Sequence, residues 1–455
     1  MIRKTMLAAA AALLIAPPAA AQSQQETLDA RYDRALAAGY KALFLCGAIA
    51  NAELFGATRS AESVARWELT GIQSPLDGMV SAMPAFIERG EDGVIDHVLV
   101  EWEEGAVPRL ALHKPDRGCA IQPMGAQVSR EPDSEIFVRS AVRSGRFAMA
   151  DAVSPALARE AFEPRYGADA RTTAALVVRG GKLVSEAYGP DHGPNVPQRT
   201  WSVAKSIAAT IVGAAVQRRA ADVSASAGLG DDEADPRRAI TIDHLLRMAS
   251  GRYSDTPGNR TDPLYFGGST VAETAAHWPL IAQPGELFRY ANNDTLMAIR
   301  AIEPTFAEHS PLDVLNRVGM HHTIPETDAR GAYVLSSQVW ATARDLATLG
   351  QLYLDDGVLP GGQRVLPEGW RAYVSSPAGP QPEGGRFGYG AGFWLLNKSE
   401  GVPPDAFAAF GNRGQYVVIV PSRNVVIVRR GEDPAGGSGF DIAAFTRDVL
   451  AALPN

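Results

Sequence analysis

The 455-residue chain has only two cysteines, Cys46 and Cys119, and only six lysines among its 43 basic residues. Two cysteines cannot staple a disulfide-built miniprotein, and neither has the Cys-x-x-Cys neighbour that zinc sites use. The eight histidines include no His-Glu-x-x-His, and the adjacent His321 and His322 point in different directions on any regular element. No metal and no cofactor is expected. Positive charge is not in excess either. With 43 basic against 51 acidic residues, a net charge of -8 and no long single-sign block, the chain lacks the basic surface that nucleic acid requires. No stretch beyond the N-terminus approaches the ~18 uninterrupted apolar residues of a membrane span. Strand–helix alternation of the Rossmann kind, internal repeats and a Gly-x-Ser-x-Gly elbow are also missing. What is present is ordinary for a globular protein of one large domain or two to three smaller ones: 46% hydrophobic and 21% charged residues.

The N-terminus has the signature of a leader. Arg3 and Lys4 supply a positive start, Met6 to Ile15 form a short apolar run, and Ala19-Ala20-Ala21 precedes Gln22 as a small-residue cleavage site. Residues 1–21 are therefore read as a signal peptide of a periplasmic or secreted protein, against the alternative of an alanine-rich core helix. In an oxidising compartment Cys46 and Cys119 form one disulfide, the alternative being two separate buried thiols.

From Leu28 to Ile72 the pattern is helical, with Leu36, Tyr40, Leu43 and Ile49 near one face. Val94 to Leu112 then alternates like strands around a Glu103-Glu104-Gly105 turn. Residues 22–130 are expected to form a small α+β accessory region, with a polar boundary at Ser129 to Ser134, and residues 131–455 a second domain. That second part opens with Thr173–Val178 and Leu183–Tyr188 around Gly180-Gly181, a hairpin signal. The chain's far end mirrors it: Gln415–Val420 and Val425–Val428 flank Pro421 to Asn424, and an amphipathic helix follows from Phe440. The expected fold class is α+β, an antiparallel sheet built from both chain ends, flanked by helices and carrying a helical insert.

Three segments could carry chemistry. In Thr200-Trp201-Ser202-Val203-Ala204-Lys205-Ser206, the apolar residues Val203, Ile207, Ile211, Val212 and Val216 place Ser202 at a helix start. Ser202 and Lys205, three apart, then share one helix face, the geometry in which an amine takes a proton from a hydroxyl. The positive helix end and partial burial would lower the lysine pKa, and the helix end offers a backbone N–H to an oxyanion. The bland alternative is Ser202 as an N-cap and Lys205 as a solvated first-turn residue. The second segment places Tyr290-x-Asn292 just before a helix beginning near Asp294. A phenol can shuttle a proton and an amide can hold both lysine and substrate, or else Tyr290 is core and Asn292 a cap. The third is Phe410-Gly411-Asn412-Arg413-Gly414-Gln415 ahead of an apolar strand. A glycine there admits a substrate backbone, the Gln415 N–H is a second oxyanion donor, and Arg413 meets a carboxylate, unless the segment is simply a tight turn. Tyr389, Phe393 and Trp394 are candidates for the cleft wall or for sheet packing.

In this order Ser202-x-x-Lys205, Tyr290-x-Asn292 and the Gly414-containing triplet resemble the serine β-lactamase-like, penicillin-recognising hydrolases. The resemblance is closest to the class C-type branch with its carboxylesterases and 6-aminohexanoate-dimer hydrolases. Tyr188-Gly189-Pro190, Ala341 to Ala347, Leu349 to Tyr353 and Leu366 to Trp370 are similar to stretches of that branch, and the likeness runs from Thr172 to Leu453. It implies a β-lactamase/transpeptidase-like fold, Ser202 as acylated nucleophile, and Lys205 as its base. Tyr290 would assist proton transfer, Asn292 would orient lysine and substrate, and the Ser202 and Gln415 N–H groups would form the oxyanion hole. The third motif departs: Asn412-Arg413-Gly414 stands where true β-lactamases have Lys-Thr-Gly. The expected function is a serine hydrolase acting on a small-molecule ester or amide, with no nucleic acid partner and no membrane span; no oligomeric state is read. A D,D-peptidase acting on peptidoglycan peptides and a catalytically silent binding protein of the same fold are the alternatives.

Overall fold

The computed structural model describes residues 18–128, 147–150, 155–253 and 261–454. Most of the expected leader and the expected boundary at Ser129 to Ser134 lie outside the described residues.

The central element is an eight-stranded sheet. Its order is β11 (Gly388–Tyr389), β12 (Trp394–Leu395), β13 (Phe407–Gly411), β14 (Gln415–Val420), β15 (Val425–Gly431), β6 (Thr172–Arg179), β7 (Lys182–Tyr188) and β5 (Ala148–Met149). Every pairing is antiparallel except the two-residue contact of β5 with β7. The α+β sheet built from both chain ends is thus present. Its hairpins follow from local chemistry: Gly180 and Gly181 both take positive φ (57° and 72°), the geometry a two-residue hairpin turn needs.

Side chains of the sheet alternate between two layers. Leu176, Val178, Ala409, Val417, Ile419, Val426 and Val428 join the core that includes the Val203–Gln217 helix. Val177, Ala408, Val418, Val420, Val425 and Ile427 face a second core with Phe440, Phe445 and Val449 near the C-terminus. Because both faces are covered, β14 and β15 read as continuous valine-isoleucine runs rather than as alternation. A small three-stranded sheet of β8 (Gln198–Arg199), β10 (Val339–Ala341) and β9 (Thr323–Pro325) lies beside the start of the Val203–Gln217 helix.

The N-terminal region consists of α1 (Pro18–Leu54), α2 (Ala61–Trp67) and an antiparallel sheet of β1 (Ala85–Arg89), β2 (Ile95–Val100), β3 (Arg109–Lys114) and β4 (Gly118–Ile121). The expected helical stretch is broken after Leu54, where Gly56 turns with φ 72°, and restarts when the Ser60 hydroxyl caps α2. α1 departs from the one-faced pattern. Apart from half-buried Lys41, every residue from Ala35 to Ala52 is buried, so the helix is covered on all sides. The four-stranded sheet covers one side and Trp201, Phe266 and Trp340 another; the Trp340 ring lies so near Gly47 that a Cβ there would be 2.7 Å from it. Among the described residues α1 is the one helix long and apolar enough to cross a membrane, yet 94% of that apolar window is buried inside the molecule. Cys46 of α1 and Cys119 of β4 are joined in a disulfide.

Candidate active site

Ser202 stands at the N-cap of the Val203–Gln217 helix, but its side chain makes no capping hydrogen bond. The hydroxyl is engaged elsewhere: Lys205 Nζ lies 3.0 Å from Ser202 Oγ. The spacing of three along one helix face brings the two together, and Ser202 occupies the cap position without its hydroxyl serving as a cap. Trp201, immediately before the nucleophile candidate, takes φ 49°, an uncommon left-handed conformation for a bulky residue.

Lys205 is buried, and its amine is held from three directions. Besides Ser202, Nζ contacts Asn292 Oδ1 at 2.6 Å and the main-chain carbonyl of Ser336 at 3.0 Å. Tyr290 sets its ring against the same amine, 4.8 Å from Nζ to the centroid. Asn292 is the first residue of the Asn292–Ile302 helix, not its cap, which is Ala291. Its Nδ2 donates to Thr261 Oγ1 at 2.8 Å, which fixes the amide with its oxygen toward Lys205. The helix start is itself anchored by a buried ion pair, Arg252 Nη2 to Asp294 Oδ1 at 2.9 Å, with Ser250 Oγ donating to the same oxygen at 2.8 Å.

Ser336, Thr261 and Tyr265 were not singled out from the sequence. Tyr265 OH and Ser336 Oγ are 2.7 Å apart, which steadies the segment whose carbonyl receives the lysine. A carbonyl ligand has no residue-type signature, so nothing local marks position 336.

The third segment differs from expectation. Gly411, the last residue of β13, faces the serine: a Cβ added to it would sit 3.2 Å from Ser202 N and 2.4 Å from Thr200 O. Gly414 faces Arg429 and Asp433 instead, where an added Cβ would be 1.8 Å from Arg429 Nη1. The glycine that admits a close approach is therefore Gly411, for which the only sequence signal was its place at a strand end. Asn412 follows it, its Oδ1 accepting the Arg413 N–H at 2.9 Å. Gln415 lies across the ladder from Gly411 on β14, and its side-chain amide is spent on Arg413 O, Gly431 O and Arg430 Nε.

Arg413 does not meet a substrate carboxylate. At φ 56° it turns its side chain away from Ser202 into the N-terminal region, where it is buried. Nη2 donates to the carbonyls of Trp67 (3.0 Å), Thr70 (2.8 Å) and Glu432 (3.2 Å), and Nε lies 2.8 Å from Glu432 Oε2. A guanidinium seated among that many acceptors has no reach into the cleft.

Of the three aromatic candidates, Trp394 and Tyr389 pack against Tyr290, with ring centroids 5.4 and 6.0 Å away, and Phe410 stacks on Trp394 at 5.8 Å. Phe393 is fully buried against Tyr353 and Phe407 and belongs to the core.

The Beta-lactamase family model matches residues 158–430, more than half of the chain. The chain belongs to the beta-lactamase family. Within the family, a 6-aminohexanoate-dimer hydrolase of Paenarthrobacter ureafaciens is 25% identical over 301 residues, 57% of this chain and 72% of the relative. Among solved structures, a candidate 6-aminohexanoate-dimer hydrolase from Bacillus anthracis aligns with a TM-score of 0.53 and 22% identity over 63% of this chain and 82% of its own. A family VIII carboxylesterase aligns with a TM-score of 0.52 and 16% identity over 67% of this chain and 99% of its own. These likenesses show the beta-lactamase/transpeptidase-like fold, and the named relatives are hydrolases. The N-terminal region through β5 precedes the matched residues.

Proposed function

We propose that this beta-lactamase-family protein is an exported serine hydrolase that cleaves an ester or amide through an acyl-enzyme on Ser202, with Lys205 as general base. The observation that carries this reading is the Lys205 amine held 3.0 Å from Ser202 Oγ and 2.6 Å from Asn292 Oδ1. Asn292 Oδ1 and the Ser336 carbonyl, which can only accept, hold the amine in place within proton-transfer distance of the Ser202 hydroxyl.

In acylation the Ser202 proton passes to Lys205 Nζ as Oγ bonds to the substrate carbonyl carbon. The oxyanion accepts from Ser202 N–H and from a main-chain N–H at the Gly411 end of β13, the part of the third segment that lies against Ser202 N. The proton then goes to the leaving alcohol or amine, with Tyr290 beside the lysine to relay it, and the C–O or C–N bond breaks. Water reverses the sequence, giving its proton to Lys205 and releasing the acid.

A β-lactam or a peptide ending in a carboxylate calls for a cation in the third segment, and Arg413 is turned away from it. The aromatic wall of Tyr290, Trp394 and Phe410 suits uncharged acyl or leaving groups, simple esters and secondary amides among them. An amide of the 6-aminohexanoate type is a natural trial substrate, given the name of the Paenarthrobacter relative. The export reading is supported by the Cys46–Cys119 disulfide and by the exposure of residues 23–31 of α1, so that cleavage after Ala21 leaves the buried part of the helix intact.

The test is labelling of the wild type and Ser202→Ala with a fluorophosphonate and with a labelled penicillin, alongside p-nitrophenyl butyrate hydrolysis. Fluorophosphonate labelling and ester turnover that both vanish in Ser202→Ala are expected. Absence of any Ser202-dependent label or turnover overturns the hydrolase reading, and persistent penicillin labelling of the wild type favours the peptidase.

A further inference from the structure

We propose that the N-terminal region is a working part of the acyl-transfer site, and that Arg413 and Arg199 are the positioning residues through which it holds the oxyanion hairpin and the Ser202–Lys205 pair. The inference rests on the hydrolase reading above and assigns a role to a region that precedes the matched family residues.

The first link is at the β13–β14 turn. Gly411 approaches Ser202 N, and Arg413, two residues on, is anchored outside the hydrolase sheet. Its acceptors Trp67 O, Glu68 O and Thr70 O are carbonyls at and just beyond the C-terminal end of α2, where unpaired carbonyls and the helix dipole favour a cation. The anchor is rigid in turn. Glu68 pairs with Arg59 Nη2 at 2.7 Å, both side chains buried, and Tyr40 OH of α1 donates to Glu68 O at 3.3 Å. A fork with bonds to three separate carbonyls fixes direction as well as distance, which a single contact would not.

The second link is on the other side of the serine. Arg199 is fully buried, its guanidinium 4.3 Å from the Trp201 ring, 5.0 Å from Phe44, and 5.5 Å from both Tyr265 and Phe266. Its Nη2 donates to Ser337 Oγ at 2.9 Å. Trp201 precedes the nucleophile, and Ser337 follows the residue whose carbonyl receives Lys205. One cation thus touches the neighbours of both reacting groups. The wall that closes this cage from the N-terminal side is Phe44 on α1, stacked on Tyr40 at 4.2 Å. Cation–π contacts are strongest when desolvated, so the cage depends on that wall staying shut.

Two links from one region therefore end on the two sides of Ser202. Neither arginine touches substrate, so their removal should disturb the transition state more than substrate binding. The experiment uses the full chain, with the active serine titrated by a fluorophosphonate, p-nitrophenyl butyrate as substrate and phenylboronic acid as a probe whose tetrahedral adduct needs the oxyanion hole. Arg413→Met and Phe44→Leu are expected to keep one titratable serine per chain. Turnover per titrated site should fall about tenfold or more with KM changed less than about threefold, and the boronate inhibition constant should rise by the same factor as kcat/KM falls. Arg413→Lys, which keeps the charge but loses the fork, should recover part of the loss. If Arg413→Met does not fold, Arg413→Lys and Phe44→Leu are read by the same criteria.

A purely structural role gives a different result: fewer titratable sites, each with wild-type turnover and boronate affinity. That outcome, or turnover per site within about threefold of wild type in the folded variants, overturns the proposal. A wild type without Ser202-dependent turnover instead overturns the hydrolase reading on which it rests.

Discussion

Gly411→Ala probes the site with the smallest possible change, one methyl group. Its Cβ would lie 2.4 Å from Thr200 O, 3.0 Å from Gln415 Cβ and 3.2 Å from Ser202 N. Ordinary contact begins near 3.4 Å, so the worst of these requires a shift of about 1 Å. Thr200 cannot yield readily, because its N–H donates to Val339 O at 2.8 Å in the small sheet and Ser202 follows two residues later. The β13 hairpin must move instead, and it carries with it the Gly411 end proposed to supply the second oxyanion donor. A ~1 Å misplacement of a positioned group costs about 10²-fold in rate, and loss of a whole oxyanion donor about 10²–10³-fold. The expected fall in kcat is therefore about 100-fold, roughly 2.7 kcal/mol in activation free energy. Overpacking should cost about 1–3 kcal/mol of stability, small enough for the chain to stay folded. The assay is p-nitrophenyl butyrate turnover per fluorophosphonate-titrated site, with thermal melting as the control. A folded Gly411→Ala variant with kcat within about threefold of wild type would refute the placement of the oxyanion hole beside Gly411.

Lys205→Met should leave a folded protein whose ester turnover falls by about 10²–10⁴-fold, the usual worth of a general base; near-normal kcat in that variant removes Lys205 from the role. Replacing Cys46 and Cys119 by serine opens a link between residues 73 apart in sequence, and the chain-entropy argument sets the loss at up to about 4 kcal/mol, read as a lower urea midpoint. An unchanged midpoint contradicts it. Glu326 supplies a pH signature. Burial pushes its carboxyl up from 4.5 to about 8, against the opposing pull of the Cys119 N–H and Arg199. Between those two values the unfolded chain has released a proton that the folded chain keeps, so stability falls as pH rises through this window, by up to about 1.4 kcal/mol per pH unit. Glu326→Gln should flatten that slope and gain on the wild type toward pH 8, as measured by urea unfolding at pH 5, 6, 7 and 8; parallel pH profiles for the two proteins reject the assignment.

Whatever depends on neighbours along the chain could be read from residue order alone. Ser202 and Lys205 meet because positions three apart on a helix always share a face, and the apolar residues from Val203 to Val216 made that helix legible. The β6–β7 hairpin was legible for the same kind of reason, since Gly180-Gly181 can take the positive φ values its turn needs. The two terminal hairpins predicted the sheet, and the order of three short motifs pointed to the family. Contacts between distant segments set the rest. Arg413 looked like a substrate cation because its local setting, a turn before a strand, says nothing about which way the side chain leaves. Its direction is set by carbonyls at Trp67 and Thr70, 346 and 343 residues away. For the same reason Gly411 and not Gly414 faces the serine, and the Ser336 carbonyl holds the lysine without any residue-type signal to announce it. The all-round burial of α1 was invisible in a one-faced pattern, because two unrelated surfaces cover it. Periodicity records which side of an element is apolar; only the packed chain records what lies against it, and in this protein the N-terminal region lies against the neighbours of Ser202.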